Sequence, residues 1–343
     1  MSLQIGFIYS TDGVISPGYY RPAVTGGRIF PPWRENLKDD GVKAVEFYRL
    51  EAFAAVVEQR SFSRAASCLY LSQPTVSAHI KSLENALGVP LFDRGRQEYV
   101  LTPAGEALYR YARDMLDLRN RALTEIGLGS AVAGEELTIV SSSVPSQYLL
   151  PRAVALFVRQ FPELSVNLRQ KNSQSACADI FQYRYQLALV GEKYLPDKLT
   201  YQPLLRDDLV IAVPTHHEFL PLLAKEKLTV TDLSNHRLLL REPGSATRSL
   251  LERALTGSGY TLQSFRYTVF DSQEAIKQAV RHGVGVSVLS RHVIEDYLQF
   301  GWLHVRQSAD LELEREFYLA YHPKRVLTAA AVAFRDFLLA FFS

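Results

Sequence analysis

Apolar residues recur at helical spacing in the segment 61–106. Val76, Ile80, Leu83 and Leu87 follow one another in steps of four, three and four residues, which places them on one face of a helix. The opposite face carries small or polar side chains and one cation, namely Gln73, Thr75, Ser77, Ala78, Lys81 and Ser82. Such a face can lie in the major groove of DNA without steric conflict, because its side chains are short and form hydrogen bonds.

A shorter helix is predicted just before it, over residues 63–70. The small residues Ala65 and Ala66 allow the close helix approach that a helix-turn-helix requires. Ser72 is suited to cap the second helix, and Pro74 lies in its first turn, where a missing N–H costs nothing. The segment therefore predicts a helix-turn-helix that reads DNA.

This segment resembles the DNA-binding domain of LysR-type transcriptional regulators. The match consists of SFSRAA from Ser61, LSQPTVS from Leu71, LENALGVPLFDR from Leu83 and LTPAG from Leu101, in order and nearly without gaps. A match of this length is much more specific than a lone helix-turn-helix pattern. The resemblance implies a winged helix-turn-helix over residues 45–102, binding to double-stranded promoter DNA and no enzymatic activity.

The polar residues of this domain divide into two expected roles. Gln73, Thr75 and Ser77 are expected to face bases, while the cations and Ser63 serve mainly phosphates. The residues expected at DNA are Ser63, Arg64, Gln73, Pro74, Thr75, Ser77, Lys81, Arg94 and Arg96. The contact is local rather than a general attraction to polyanions, since the net charge is only +2 and residues 44–127 hold ten basic and ten acidic side chains.

The first 44 residues are rich in Gly, Pro and aromatic residues and show no sustained helical or strand period. Regulators of the resembled family usually begin with the first helix, which here would start near Val45. Two interpretations of residues 1–44 remain open. The start codon is assigned too early, or the segment is a real extension that docks on the body through Tyr19, Phe30 or Trp33.

A long helix is predicted from Thr102 to about Ile126. Its apolar residues alternate in steps of three and four, as in a short coiled-coil seam: Leu108, Tyr111, Met115, Leu118 and Ala122. Such a seam can also bury against its own domain. The family resemblance implies that this linker helix, residues 103–127, joins two subunits, so a homodimer or a homotetramer is expected. Residues 128–135 are rich in Gly and Ala, which predicts a hinge.

Strand and helix patterns alternate from residue 136 to residue 343, as in an open α/β sheet. This layout resembles the effector domain of the same family, which has two lobes and is similar to periplasmic binding proteins. The implied boundaries are 136–210 and 317–343 for lobe I, 214–310 for lobe II, and 207–213 and 316–321 for two crossing strands. The fold class predicted for the chain is therefore multi-domain, with an all-α reading head, a linker helix and a two-lobed α/β effector domain.

Polar loops at the ends of predicted strands indicate a ligand site between the lobes. Serines follow the first strand, and Gly244 and Ser245 open another helix, so that hydroxyls and free backbone N–H groups can hold an anion. The residues expected at the effector are Ser141, Ser142, Ser143, Ser146, Gln147, Gly191, Glu192, Ser245, Thr247 and Arg248. Resemblance to the sulfur-assimilation regulators of the family favours Ser142 and Thr247 among them. A small anion or an amino-acid-like carboxylate is expected, and Glu192 argues against a multiply charged anion unless it turns away or pairs with an amine.

A different class of function is a small-molecule-binding protein or an enzyme with a vestigial DNA-binding head. No P-loop, dinucleotide fingerprint or Gly-x-Ser-x-Gly elbow supports the enzyme, and no cofactor is expected. His216 and His217 lack further ligands at metal spacing, so no metal is expected either.

Cysteine use and hydropathy indicate the compartment. Cys68 and Cys177 are far apart, which disfavours a disulfide and fits a reducing cytoplasm, and Cys68 is expected to be buried. No apolar run reaches the roughly 18 residues that span a membrane, and no secretory signal is present. A cytoplasmic regulator with no membrane partner is predicted, with RNA polymerase as a further expected partner.

Overall fold

A computed structural model describes residues 5–9, 15–19, 23–25, 28–30, 45–93, 99–126 and 136–342. Two antiparallel hairpins precede residue 31: β1 (Ile5–Tyr9) pairs with β2 (Ile15–Tyr19), and β3 (Ala23–Thr25) pairs with β4 (Arg28–Phe30). The sequence pattern did not indicate these strands, because β2 contains Pro and Gly and because β3 and β4 are only three residues long. The proposed docking through aromatic residues lies outside the described side chains.

The reading head consists of α1 (Phe47–Gln59), α2 (Phe62–Cys68) and α3 (Gln73–Leu87), followed by the linker helix α4 (Pro103–Glu125). Phe53 of α1 is fully buried and meets Phe92 edge to face at 5.5 Å between ring centroids. The predicted apolar stripe of α3 faces this core. The helix-turn-helix prediction is confirmed.

Helix α4 has two different faces. Tyr109, Ala112 and Leu116 are buried in the core of the reading head. Tyr111 and Leu118, both in the predicted seam, are 67% and 56% exposed. One face of the linker helix thus belongs to its own domain, and the other offers an unpartnered apolar surface.

The effector domain alternates strands and helices as predicted. Its elements are β5 (Glu136–Ser141), α5 (Leu150–Gln160), β6 (Ser165–Gln170), α6 (Ser173–Phe181), β7 (Leu187–Val190), β8 (Thr200–Pro214), α7 (Leu220–Leu223), β9 (Lys227–Leu228), α8 (Val230–Ser234), β10 (Leu238–Arg241), α9 (Ala246–Gly257), β11 (Tyr267–Phe270), α10 (Gln273–Arg281), β12 (Val286–Ser290), α11 (Arg291–Gln299), β13 (Leu303–Ser308), β14 (Glu314–Tyr321) and α12 (Ala329–Phe342). The predicted hinge at 128–135 lies outside the described residues.

Strand β8 runs through both halves of the sheet, and β14 pairs with its first part and with β7. The strand order is β11-β10-β12-β8-β14-β7-β5-β6. Residues Thr200–Asp208 of β8 pair with β14, and Leu209–Ala212 pair with β12 of the second lobe. β8 starts earlier than the sequence pattern indicated. Pro203 and a bulge opposite Phe317 and Tyr318 of β14 interrupt the alternation of apolar and polar residues along it. Strands β8 and β14 are the two crossing strands.

Each lobe has its own core. Phe157 of α5 and Phe334 of α12 pack edge to face at 4.9 Å, so the C-terminal helix completes the lobe that contains β5 to β7. In the other lobe, β10, β12 and α9 bury a second cluster that includes Leu238 and Leu255.

The two cysteines differ in exposure. Cys177 is buried, but Cys68 is exposed, so its expected burial was wrong. Ala65, Ala66 and Leu69 define the inner face of α2, and Cys68 lies outside that arc. No helix among the described residues is long and apolar enough to cross a membrane.

Candidate functional site

The N-terminus of α3 is shaped by its cap. Ser72 Oγ accepts a hydrogen bond from the backbone N–H of Thr75 at 3.3 Å, and the Thr75 hydroxyl lies 2.8 Å from the same oxygen. Ser63 of α2 donates to Gln73 Oε1 at 2.9 Å. The Gln73 amide is thereby oriented with its NH₂ group available to donate to a base acceptor.

Outward positions of α3 match the expected DNA face. Gln73, Pro74, Ser77 and Lys81 are exposed, and Thr75 is half-buried. Ser63 and Arg64 are exposed on α2, next to the start of α3. Arg94 and Arg96 lie outside the described residues.

The LTPAG motif, which begins α4, contacts the segment that follows α3. Glu84 Oε1 accepts from Leu91 N at 2.7 Å, and Thr102 Oγ1 donates to Pro90 O at 2.8 Å. A Cβ at Gly105 would lie 2.1 Å from Leu91 O, so only glycine fits there. These contacts hold Pro90 and Leu91 between α3 and the start of α4.

A small cavity of about 10 Å³, room for about one water molecule, lies where the lobes meet. Its lining is polar and cationic, with hydroxyls from both lobes: Ser142, Ser143, Val144, Asn172, Ser173, Arg241, Ser245, Ala246, Thr247 and Arg315. Both arginines are buried. Hydrogen-bond donors thus surround the cavity, as a bound anion requires.

Arg241 ends β10 and is tied to both lobes. Its Nε and Nη2 donate to the two carboxylate oxygens of Glu242, at 2.8 and 3.0 Å. Its Nη1 donates to Ser143 Oγ at 2.8 Å, and Gln273 Nε2 donates to the same hydroxyl at 2.8 Å. Arg241 therefore holds the loop after β5 against the second lobe.

Arg315 lies on β14, and its side chain is 6% exposed. Its Nε donates to Asp207 Oδ2 at 2.8 Å, and its Nη1 donates to Thr247 Oγ1 at 3.1 Å. Asp207 in turn accepts from Ser290 Oγ at 2.6 Å. Burial lowers the pKa of Arg315, and the charge of Asp207 opposes that shift. Asp207 is thus the neutralising partner of a buried guanidinium at the cavity wall.

Contacts across the cleft close the two lobes over this cavity. Asn172 Nδ2 donates to Pro243 O at 3.3 Å, and Gln174 N donates to Gly244 O at 3.2 Å. Gly244 has φ of 85°, a conformation that favours glycine. At the rim, Glu192 forms an ion pair with Arg253 of α9. The carboxylate that argued against a multiply charged anion is therefore neutralised by a cation.

The structure brings together only part of the effector residues expected from sequence. Ser142, Ser143, Ser245 and Thr247 line the cavity, and Gly191 lies against it. The other five expected residues do not line it. Ser141 donates to Ser142 O, Gln147 donates to Gln170, and Arg248 forms an ion pair with Glu252. Ser146 is half-buried, and Glu192 lies at the rim.

Sequence reasoning missed the two cavity arginines and the Asn172–Ser173 pair. Arg241 interrupts an apolar run at a strand end, which was a usable signal, since a cation there must find a partner. Arg315 gave no such signal, because it lies between Glu314 and Glu316 in an alternating strand. Only the register that pairs Arg315 with Asp207 across β14 and β8 shows its burial.

Among the described residues, no group of three or more His, Cys, Asp or Glu side chains is placed to hold a metal ion. His216 Nε2 instead lies 3.1 Å from the carbonyl of Arg281.

Comparison with known proteins agrees with this architecture. Residues 47–106 match the family model for the bacterial regulatory helix-turn-helix protein, lysR family, and residues 130–343 match the LysR substrate binding domain. The chain is 31% identical over 274 residues to the HTH-type transcriptional regulator CysL of Bacillus subtilis, covering 80% of this chain and 90% of CysL. The chain therefore belongs to the LysR family of DNA-binding transcriptional regulators.

Two solved structures extend the comparison. Full-length OxyR from Pseudomonas aeruginosa shares the fold, with a TM-score of 0.69, 21% identity and coverage of 87% of this chain and 94% of OxyR. The regulatory domain of CcmR from Synechocystis PCC6803, in complex with 2-PG, is 26% identical with a TM-score of 0.55, covering 61% of this chain and 97% of that domain. The regulator interpretation is thus favoured over an enzyme or binding protein with a vestigial reading head.

Proposed function

We propose that this regulator is switched by a small oxyanion, such as a carboxylate, sulfate or phosphate head group, bound in the cavity between its lobes. The observation that carries the proposal is the pair of buried arginines, Arg241 and Arg315, around a cavity lined by serine and threonine hydroxyls. Charge-assisted hydrogen bonds of this kind are the strong ones, and a water-excluded site makes them stronger. The 2-PG bound to the regulatory domain of CcmR is consistent with such an effector.

Both lobes contribute to the cavity, which gives the effector a means of switching. Ser142 and Ser143 follow β5 of one lobe, while Ser245 and Thr247 open α9 of the other. An effector that touches both lobes binds one separation of the lobes better than another, and this separation is wider than the described one, whose cavity has room for about one water molecule. This differential affinity is what shifts a conformational equilibrium.

The effector is tested by a thermal-shift screen of acetate, sulfate, phosphate and 2-PG against chloride at equal ionic strength. An anion at about 100 times its dissociation constant adds about 2.7 kcal/mol to the stability of the native state. Ser142→Ala and Thr247→Ala should each weaken the shift, because each removes a hydrogen bond to the anion, while operator binding is retained. Wild-type shifts in both variants would place the anion elsewhere.

The regulator is further proposed to act as a cytoplasmic homodimer or homotetramer that contacts RNA polymerase at promoters. The exposed apolar face of α4 supports dimerisation. Leu118→Glu should yield monomers in analytical ultracentrifugation, since a charge in a helix seam is costly. Leu220→Glu, at an equally exposed leucine of the effector domain, is the matched control and should leave the oligomer intact.

DNA binding by the outward face of α3 completes the proposal. Gln73, Thr75 and Ser77 are assigned to bases, and Ser63, Arg64, Lys81, Arg94 and Arg96 mainly to phosphates. The free NH₂ group of Gln73 supports the first assignment. Gln73→Ala should cost about 1–3 kcal/mol at one operator position and relax the preference there, as measured by binding to operator variants.

A further inference from the structure

Arg241 and Arg315 differ in how fully their nitrogen atoms are used. All three nitrogen atoms of Arg241 donate to Glu242 or Ser143. Arg315 uses Nε and Nη1 in good geometry. Its Nη2 is buried and makes no hydrogen bond within the described residues, although it lies 2.7 Å from Asp207 Oδ2. The short distance shows an ion contact, but the N–H groups of Nη2 are not directed at the carboxylate.

An unpaired buried donor of this kind costs free energy unless something accepts from it. Arg315 lines the cavity, and its Nη1 already reaches Thr247 at the cavity wall. An anionic oxygen in the cavity would supply the missing acceptor. Arg241 has no such vacancy, so the two arginines have different roles.

Arg241 and Arg315 are also neutralised by different carboxylates. Arg241 is neutralised by the bidentate carboxylate of Glu242, and Arg315 by Asp207. The cavity therefore has donors but no excess positive charge from these two pairs. A bound anion must share Arg315 with Asp207, which makes this pair sensitive to the charge of the effector.

The same pair lies at the crossing strands. Arg315 and Asp207 are register partners on β14 and β8, just before β8 passes to β12 of the other lobe. Gly191 makes room for the guanidinium, since a Cβ there would lie 3.1 Å from Arg315 Nη1 and from the Cβ of Ala246. The cation is thus fixed relative to both lobes at the point where they join.

We propose that Arg315 is the residue that selects the effector by its charge. Asp207 limits binding to anions whose group at Arg315 carries little negative charge. This inference rests on the proposed effector cavity. Arg241 is a positioning residue that holds Ser143, whereas Arg315 donates directly to the anion.

The test compares anion binding in variants of the full-length protein, with sulfate as the doubly charged probe and acetate as the singly charged probe. Asp207→Asn keeps the shape but leaves Arg315 uncompensated, so sulfate should bind about ten- to a hundredfold more tightly than to wild type, with a smaller gain for acetate. The double variant Asp207→Asn with Arg315→Met removes both charges of this pair and should lose the gain in sulfate affinity entirely. Arg315→Lys keeps the charge but presents one nitrogen instead of three, and should weaken acetate binding about tenfold.

Asp117→Asn, alone and with Arg325→Met, is the matched control. Neither residue of this second buried pair lines the cavity between the lobes, so sulfate and acetate affinities should stay at the wild-type values. Circular dichroism and a cooperative thermal unfolding transition establish that each variant is folded.

The outcomes separate this inference from the proposed cavity. Anion binding that is lost in Ser142→Ala and Thr247→Ala but unchanged by every substitution at Arg315 overturns the role of Arg315 and leaves the cavity standing. Equal sulfate affinity in Asp207→Asn and wild type overturns the charge selection. Binding that survives in all of these variants contradicts both the inference and the cavity.

Discussion

The Arg315–Asp207 pair and the Arg325–Asp117 pair are both buried, yet they occupy different kinds of place. Arg315 lies at the junction of the two lobes, with its Nε 2.8 Å from Asp207 and a cavity beside it. Arg325 lies between the effector domain and the linker helix, and its Nη2 is 3.6 Å from Asp117. The atoms of the first pair are closer together, and this pair adjoins the cavity. The atoms of the second pair are farther apart, and this pair lies in the contact between the effector domain and α4.

Their other partners differ in the same way. Arg325 Nη1 also donates to the carbonyls of Tyr183 and Tyr185, each at 2.7 Å. Asp117 is shared with Arg113, which in turn reaches Glu58 of α1 at 2.9 Å. Burial raises the pKa of Asp117, and both arginines oppose the shift. A chain of charges therefore links the effector domain to the reading head.

Burial of a charged pair therefore does not by itself indicate a ligand site. A ligand site also needs a donor without an acceptor and space for the ligand. Within the described residues, Arg315 and Arg325 each have one buried nitrogen without a hydrogen bond, Nη2 and Nε respectively, but of the two only Arg315 lines the cavity between the lobes. We interpret the second pair as a contact that sets the position of α4 on the effector domain.

The largest expected effect concerns stability. Asp207→Ala leaves the Arg315 side chain, which is only 6% exposed, with one remaining hydrogen bond, to Thr247, and should lower the free energy of unfolding by about 3–5 kcal/mol. Asp117→Ala should cost less, roughly 1–3 kcal/mol, because two carbonyls still accept from Arg325. Urea denaturation of both variants measures the difference. Equal losses would show that the backbone acceptors do not compensate Arg325.

A second effect tests how closely Arg315 is packed. Gly191→Ala places a Cβ 3.1 Å from both Arg315 Nη1 and Ala246 Cβ, and should destabilise the effector domain by about 1–3 kcal/mol and weaken anion binding. Gly257→Ala is the matched control, since a Cβ there meets nothing within 4 Å. It lies in α9 and should be neutral or slightly stabilising. The same stability for both variants, by thermal denaturation, would mean that Arg315 moves freely.

The reading head could be predicted from sequence in detail because its structure is local. Ser72, Pro74 and the apolar stripe of α3 lie within 16 residues, and each acts through neighbours in the chain. The serines that line the cavity of the proposed effector site were also predictable, since hydroxyls after a buried strand indicate a polar strand end. In both cases the signal and the structure share one short segment.

The charge of the effector site could not be predicted from sequence. Arg315 and Asp207 are 108 residues apart in the chain, and only the pairing of β14 with β8 brings them together. The alternation of charged and apolar residues around Arg315 predicts a half-exposed strand with charges of both signs. Long-range strand register decides its burial, and no local periodicity reports that register.

A third effect separates the roles of the two pairs. The double variant Asp207→Asn with Arg315→Met should reduce the transcriptional response to an effector anion about tenfold, while operator affinity stays within twofold, about 0.4 kcal/mol. Asp117→Asn with Arg325→Met should do the reverse, altering the DNase footprint while anion affinity is kept. Footprinting and anion titration on both variants give the comparison. Loss of both properties in either variant would mean that the two pairs act as one unit.

The smallest expected effect concerns Lys81, which touches neither pair. Lys81 is exposed on α3 and is proposed to contact phosphate, so Lys81→Ala should weaken binding to all DNA sequences alike. The slope of log affinity against log salt should fall in magnitude by about one, because one fewer counterion is released. Lys227→Ala, an equally exposed lysine on β9 of the effector domain, is the control and should leave the slope unchanged. Operator and non-operator DNA are titrated at several salt concentrations. An altered sequence preference with an unchanged slope would assign Lys81 to a base, and α3 would then lie deeper in the groove than its short side chains suggest.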